Sequence, residues 1–202
     1  MSFDIEKRMA EIVGKPQRIE PPREDELGEA SRKATIELRE AFGIPQKGDV
    51  PEVLLTMLLH PGLFHAQVEM GKQLAGQGTI PPRDRELAIL RNAWLCGAPY
   101  EWGEHVDISK RLGVTAEEVE RCTQGSQAAG WSEHDHALMK GVEELHARQM
   151  ISDETWAVLA RSWNEQQLME FPVLIGHYVA TAMQQNSLRM RLAHDNPGLG
   201  YR

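Results

Sequence analysis

Glu86, Glu101 and His105 are the residues whose types and spacing could do chemistry. Glu101, His105, Ile108 and Leu112 recur at spacings of four, three and four, so a helix would place them on one face. Glu86 shares a helical stripe with Leu90, Ala93 and the neighbouring Trp94. Ionisable groups on apolar faces need partners, because an unpaired buried charge is expensive. Hydrogen bonding to one another satisfies all three at once. Histidine titrates near neutral pH, and a carboxylate beside it orients the ring and sets which nitrogen is free. A second, desolvated glutamate with a raised pKa is an acid. Tyr100 adds a phenol that could bind an enolate or carboxylate oxygen. A proton relay is one reading of this group. A buried polar network that only fixes the angle between two helices is the other.

Two helices meeting at a tight break must position these side chains. Pro81 and Pro82 suit a first helical turn, where a missing N–H costs nothing, and Thr79 is close enough to cap it. This helix is expected to reach Leu95 and stop at Gly97-Ala98-Pro99. The next is expected from Tyr100 to Leu112, ending at Gly113.

The same residues carry a resemblance. Arg-Asp-Arg-Glu-Leu-Ala-Ile-Leu-Arg at 83–91 and Gly-Ala-Pro-Tyr-Glu-Trp-Gly-Glu-His at 97–105 resemble the carboxymuconolactone decarboxylase family, similar in fold to alkylhydroperoxidase D-like proteins. The similarity extends over most of 50–195. The redox branch of that family reads Glu, eleven residues, Cys, two residues, Cys, three residues, His. Counted back from His105, the cysteine positions hold Ala98 and Glu101, and the leading glutamate is Glu86. The acid–base residues are present and the dithiol is absent. The resemblance therefore implies a cofactor-independent decarboxylase, or a related lyase or isomerase, acting on a small carboxylated lactone or aromatic-catabolism intermediate. His105 would be the general acid/base, with Glu86 and Glu101 orienting it or relaying protons and Tyr100 binding an oxyanion.

A peroxiredoxin-like antioxidant is the alternative, but peroxide reduction by a dithiol needs a second thiol to resolve the sulfenic acid. Only Cys96 lies near the break, so only a one-cysteine scheme stays open. A non-catalytic ligand-binding oligomer is the third reading. Trp94, Trp102, His177 and Tyr178 are candidate substrate-binding residues, with His60 and His65 behind them, although aromatic residues at helical spacing usually mean core. Glu-x-x-His occurs at Glu133/His136 and Glu143/His146, both on one expected helix and ten residues apart, so the two pairs cannot face one metal; no metal is expected.

Along the rest of the chain, an amphipathic helix at 2–14 capped by Ser2 and a proline-rich linker to Pro22 form an N-terminal arm over 1–23, either disordered or packed on another subunit. Helices are expected from Glu24 to Phe42 (ending at Gly43-Ile44-Pro45), from Asp49 to His60, and onward to Ala75. Thr115 with Glu118, Ser132, Ser152, and Asn164 with Gln167 mark further helix starts. The helix opened by Ser152 is expected to reach Trp163, and Pro172 to kink the last one or split off its first turn. The expected fold is an all-α, alkylhydroperoxidase D-like bundle over 24–195, with 196–202 as a tail. The resemblance implies a homo-oligomer: dimer, trimer or hexamer.

Of 202 residues 41% are hydrophobic and 26% charged, ordinary for a globular protein, and the net charge of -8 argues against nucleic-acid binding. No apolar run reaches membrane-spanning length and the start is no secretory signal. Cys96 and Cys122 form no Cys-x-x-Cys, so free thiols in a reducing cytoplasm are expected.

Overall fold

The computed structural model describes residues 3–42, 50–193 and 195–202. Ser2, Gly43-Ile44-Pro45 and Asp49, assigned helix-boundary roles above, lie outside these. The described residues hold no strand and ten α-helices: α1 (Ile5–Ile12), α2 (Glu29–Phe42), α3 (Glu52–Met57), α4 (Pro61–Gly71), α5 (Pro82–Leu95), α6 (Pro99–Arg111), α7 (Ala116–Gln124), α8 (Glu133–Arg148), α9 (Asp153–Leu159) and α10 (Glu165–Leu188). The bundle is all-α, as expected.

Helix α5 is the axis, with α6, α7, α8 and α10 packed around it. Leu87, Ala88, Ile89, Leu90 and Ala93 are completely buried, and so are its polar Glu86, Arg91 and Asn92 or nearly so. A helix covered on all sides must bring a partner to every polar side chain it carries. Arg91 finds the Cys122 and Thr123 carbonyls and Glu143, while Arg85 finds the Ala75 carbonyl and Glu86. The other two build the site described below.

Local signals set most helix starts. Thr115 and Glu118 cap α7 reciprocally, as do Asn164 and Gln167 for α10, and Ser132 and Ser152 accept from backbone N–H groups of α8 and α9. Asp4 caps α1, accepting from Lys7 N–H. Thr79 does not cap α5, whose N-cap is Pro81; its hydroxyl and N–H both donate to Glu170. The segment from Glu24 is a single 3-10 turn, and the helix proper begins only after Gly28. Helix α9 ends at Leu159, short of Trp163, and α10 runs through Pro172 in one piece.

Both ends of the chain fold back onto the α5–α6 break. Helix α1 packs on its own chain: Phe3 stacks against Trp94 at 5.2 Å, and the Arg8 guanidinium donates to the Gly97 and Cys96 carbonyls at 3.0 and 3.2 Å. Gly97 has φ +52°, and a Cβ there would lie 2.8 Å from Arg8 Nε, so glycine suits the turn on both counts. The 196–202 segment is not a free tail. Leu199 is completely buried, the Asn196 amide donates to the Tyr100 carbonyl and to Glu104, and the Tyr201 carbonyl accepts from Trp102 Nε1–H at 3.0 Å. Trp102 is fully buried. Burying an indole removes about 150–250 Å2 from water, and at ~25 cal/mol per Å2 that stabilises by roughly 4–6 kcal/mol. This burial sets the rotation of α6. Its inward face is Trp102, Val106 and Ser109, with Glu101, whereas Ile108 is half-buried and Leu112 is exposed.

Candidate active site

Glu86 on α5 and His105 on α6 meet across the break, with Glu86 Oε2 2.7 Å from His105 Nδ1. Their side chains are 2% and 12% exposed. Burial alone would raise the Glu86 pKa, but the hydrogen bond and charge of His105, together with Arg85, outweigh it and hold the carboxyl below the usual range. Glu86 is thus a carboxylate. It accepts from Nδ1–H, which fixes the ring's orientation and leaves Nε2 to exchange a proton; Nε2 makes no hydrogen bond among the described residues. Arg85 Nε donates to the second Glu86 oxygen at 3.1 Å.

Glu101 behaves oppositely. It is 2% exposed, no cation among the described residues pairs with it, and burial drives its pKa well up, only partly opposed by a hydrogen bond from Asn92. Asn92 Nδ2 donates to Glu101 Oε1 at 3.0 Å, and Glu101 Oε2 has no partner. Glu101 therefore does not bond to His105 as the sequence reading had it. Beyond Asn92 stands His146 of α8, its Nε2 2.8 Å from Asn92 Oδ1. Neither residue is picked out as functional by the sequence. Asn92 carries no sequence signal of its own, and His146 stands out there only as half of a Glu-x-x-His pair. Cys96 lies one turn on from Asn92, its Sγ 4.0 Å from Oδ1, and burial pushes the thiol up to about 12.

The aromatic residues separate into two groups. Tyr178 of α10 stands edge-on to His105, ring centres 5.0 Å apart, and burial, reinforced by the Glu86 carboxylate, raises the pKa of its phenol. His177 packs against Tyr178 at 5.4 Å, and burial lowers its pKa. Burial and then the charge of Glu104 push the Tyr100 phenol up, and of the two tyrosines it is Tyr178 whose ring contacts His105. Trp94 and Trp102 are core, stacked on one another at 5.0 Å and 8% and 0% exposed. His60 caps α4 by accepting from Leu63 N–H, and His65 is on an exposed face.

Other constellations resolve into structure. Glu143 pairs with Arg91 and Ser126, and Glu133 with Arg161, so the Glu-x-x-His pairs diverge. Among the described residues no group of three or more His, Cys, Asp or Glu could hold a metal ion. Ser162 Oγ, His134 and Asp84 form a chain of two 2.9 Å contacts with the composition of a nucleophilic triad. Every backbone N–H from 160 to 163 already donates within its own turn, so none of these is free to serve as an oxyanion donor for Ser162. The chain ties α5, α8 and the end of α9 together. An open groove of about 310 Å3 is lined by Ser126, His136, Lys140, Glu143 and Arg148 and by none of Glu86, Glu101 or His105.

The buried Glu-His pair with no dithiol beside it can now be set against known proteins. Residues 61–140 match the carboxymuconolactone decarboxylase family. The matched segment contains α4 to α7 and all of Glu86, Asn92, Glu101 and His105. No curated protein sequence matches the chain. A peroxidase-related protein with an alkylhydroperoxidase AhpD core, from Ralstonia eutropha JMP134, superposes with a TM-score of 0.73 at 16% identity, over 90% of this chain and 95% of that one. A peroxidase-related protein from Silicibacter sp. TM1040 gives 0.72 at 17%, over 90% and 94%. A variant of the debrominase Bmp8 in complex with 2,3,4-tribromopyrrole gives 0.69 at 16%, over 89% and 93%. These likenesses establish an AhpD-like helical fold. Among the described residues no helix is long and apolar enough to cross a membrane.

Proposed function

We propose that this chain is an acid–base enzyme of the carboxymuconolactone decarboxylase kind, releasing CO2 from a small carboxylated lactone, or catalysing a related lyase or isomerase step, without a cofactor. The observation that carries this reading is the buried 2.7 Å Glu86–His105 pair; Glu101, on the same helix as His105 and with its pKa driven up by burial, adds a candidate acid. When the carboxylate's C–C bond breaks, its electron pair passes into the conjugated lactone as an enolate, and a proton must be returned to carbon. His105, oriented by Glu86, manages the substrate's proton, and neutral Glu101 is an acid able to quench the enolate. Tyr178, rather than Tyr100, is the phenol available to an oxyanion. The thiol alternative is disfavoured because a Cys96 pushed up to about 12 has almost no thiolate at neutral pH.

The test is a panel of carboxylated five-membered lactones assayed for CO2 release, with wild type, His105→Asn and Glu86→Gln. The reading expects turnover lowered by roughly 10²–10⁴-fold in His105→Asn. No turnover of any lactone by wild type, or equal turnover by His105→Asn, sinks it.

A homo-oligomer is part of the proposal. Along α10, Met169, Val173, Gly176, Ala180 and Met183 form an exposed stripe at alternating spacings of four and three, and residues 171–188 carry no Asp, Glu, Lys or Arg. Leu63 and Met70 add exposed apolar surface on α4, tied to α10 by the Gln67–Gln184 hydrogen bond. A charge-free stripe suits association of like chains that each carry -8. Sedimentation should find an oligomer that Met183→Glu dissociates; a wild-type monomer refutes this part alone.

A further inference from the structure

The hydrogen bond made by Glu101 leads away from His105, through Asn92 to His146. Asn92 is completely buried and Glu101 is 2% exposed, so neither exchanges partners with bulk water. An amide has a donor end and an acceptor end that trade places by a flip. Which way Asn92 points is therefore decided by the ring nitrogen facing it. With the proton on His146 Nε2, Oδ1 must face His146, and the NH2 must face Glu101. A neutral carboxyl has one carbonyl oxygen and one hydroxyl, and an N–H donor claims the carbonyl oxygen. That oxygen is Oε1, so the hydroxyl is Oε2, the buried atom with no partner in the protein. With the proton on Nδ1 instead, the amide would flip and take the Glu101 O–H into an internal bond.

We propose that Asn92 and His146 are positioning residues for Glu101, holding its proton on Oε2, the carboxyl oxygen that no described residue engages. The proposal rests on the acid–base reading above and names how its second acid is kept ready. The groups around Glu101 fit this role. The Cys96 thiol, just past the end of α5, and the Tyr178 phenol, on α10, are both held neutral by burial, and among the described residues no cation pairs with Glu101. His146 is only half-buried, and burial together with Arg91 lowers its pKa, which favours the neutral ring with one N–H.

The experiment uses the free protein first. Nitrogen-15 NMR of labelled histidine, with His146 assigned by its loss in His146→Leu, should show Nε2 protonated and Nδ1 bare. The infrared carbonyl band of a protonated carboxylic acid should vanish in Glu101→Gln and move to higher frequency in Asn92→Leu, which deletes the N–H bonded to that carbonyl. If Asn92→Leu does not fold, His146→Leu provides the same shift, because the unpinned amide turns its oxygen to the acid. With substrate, His146→Leu should lower kcat by up to the roughly 10²-fold a positioned general acid contributes, with KM unchanged, and His146→Gln, which restores a donor, should recover most of the loss. A proton on Nδ1, or a carbonyl band unmoved in both variants, overturns the proposal. Because the spectra need no substrate, they decide it even where the lactone panel fails.

Discussion

Replacing Glu101 by Gln keeps the volume of the side chain and an oxygen for Asn92, but removes a buried acid. The folded wild type holds a proton there that the unfolded chain releases above about pH 4.3. Between that pH and the raised value in the folded state, the native protein binds more protons than the unfolded chain. Stability attributable to this group is therefore full below the unfolded pKa and is lost as pH rises, at up to about 1.4 kcal/mol per pH unit. Glutamine has no such slope, and any penalty from its extra N–H groups is the same at every pH. The difference in stability, wild type minus Glu101→Gln, should fall by as much as ~2–3 kcal/mol between about pH 5 and 7. Glu86 and every other titrating group are common to both proteins and cancel to first order. Urea unfolding of both at unit pH intervals measures the difference, provided the m-values agree. A difference that stays flat, or that grows with pH, refutes the claim that Glu101 is neutral in the fold, and with it the acid assigned above.

His134 has its pKa raised chiefly by the hydrogen bond to Asp84, so its contribution is present below about pH 6.5 and lost as pH climbs through the higher folded value. His134→Gln should lose at most ~1 kcal/mol, because the pair is partly solvent-screened, and should lose it near pH 5.5 but not near pH 8.5 in denaturant titrations; a larger loss at high pH is the wrong sign. Cys96→Ser should leave lactone turnover within about twofold of wild type and peroxide consumption nil in both, since a thiol at about 12 is not a nucleophile; peroxide consumption lost in the variant would restore the thiol reading. A Cβ at Gly103 would lie 1.6 Å from Asn196 Oδ1, which itself accepts from Gly198 N–H. Gly103→Ala should cost roughly 1–3 kcal/mol and speed hydrogen exchange across 196–201, and an unchanged melting curve would mean that this segment is not anchored on α6.

The sequence by itself determined what short-range forces determine. Thr115 with Glu118, Asn164 with Gln167, Ser132 and Ser152 open helices through bonds spanning three residues, and the all-α class follows from helical periodicity with no strand-type alternation in the sequence. The meeting of Glu86 and His105 was also legible, because one glycine-proline break separates the two helices that hold them. Asn92–His146 was not, since the two lie 54 positions apart and the contact depends on how α8 is rotated against α5. Nor could a pattern of apolar positions find an inward face on α5, a helix buried on every side. On α6 the stripe's Glu101 is buried and His105 nearly so, but Ile108 is half-buried and Leu112 exposed, because Trp102, buried under the 196–202 segment, brings Val106 and Ser109 inward instead. Periodicity fixes which residues share a side of a helix. Only the packing of distant segments fixes which side is in, and therefore which of two tyrosines and which partner of Glu101 belongs to the site.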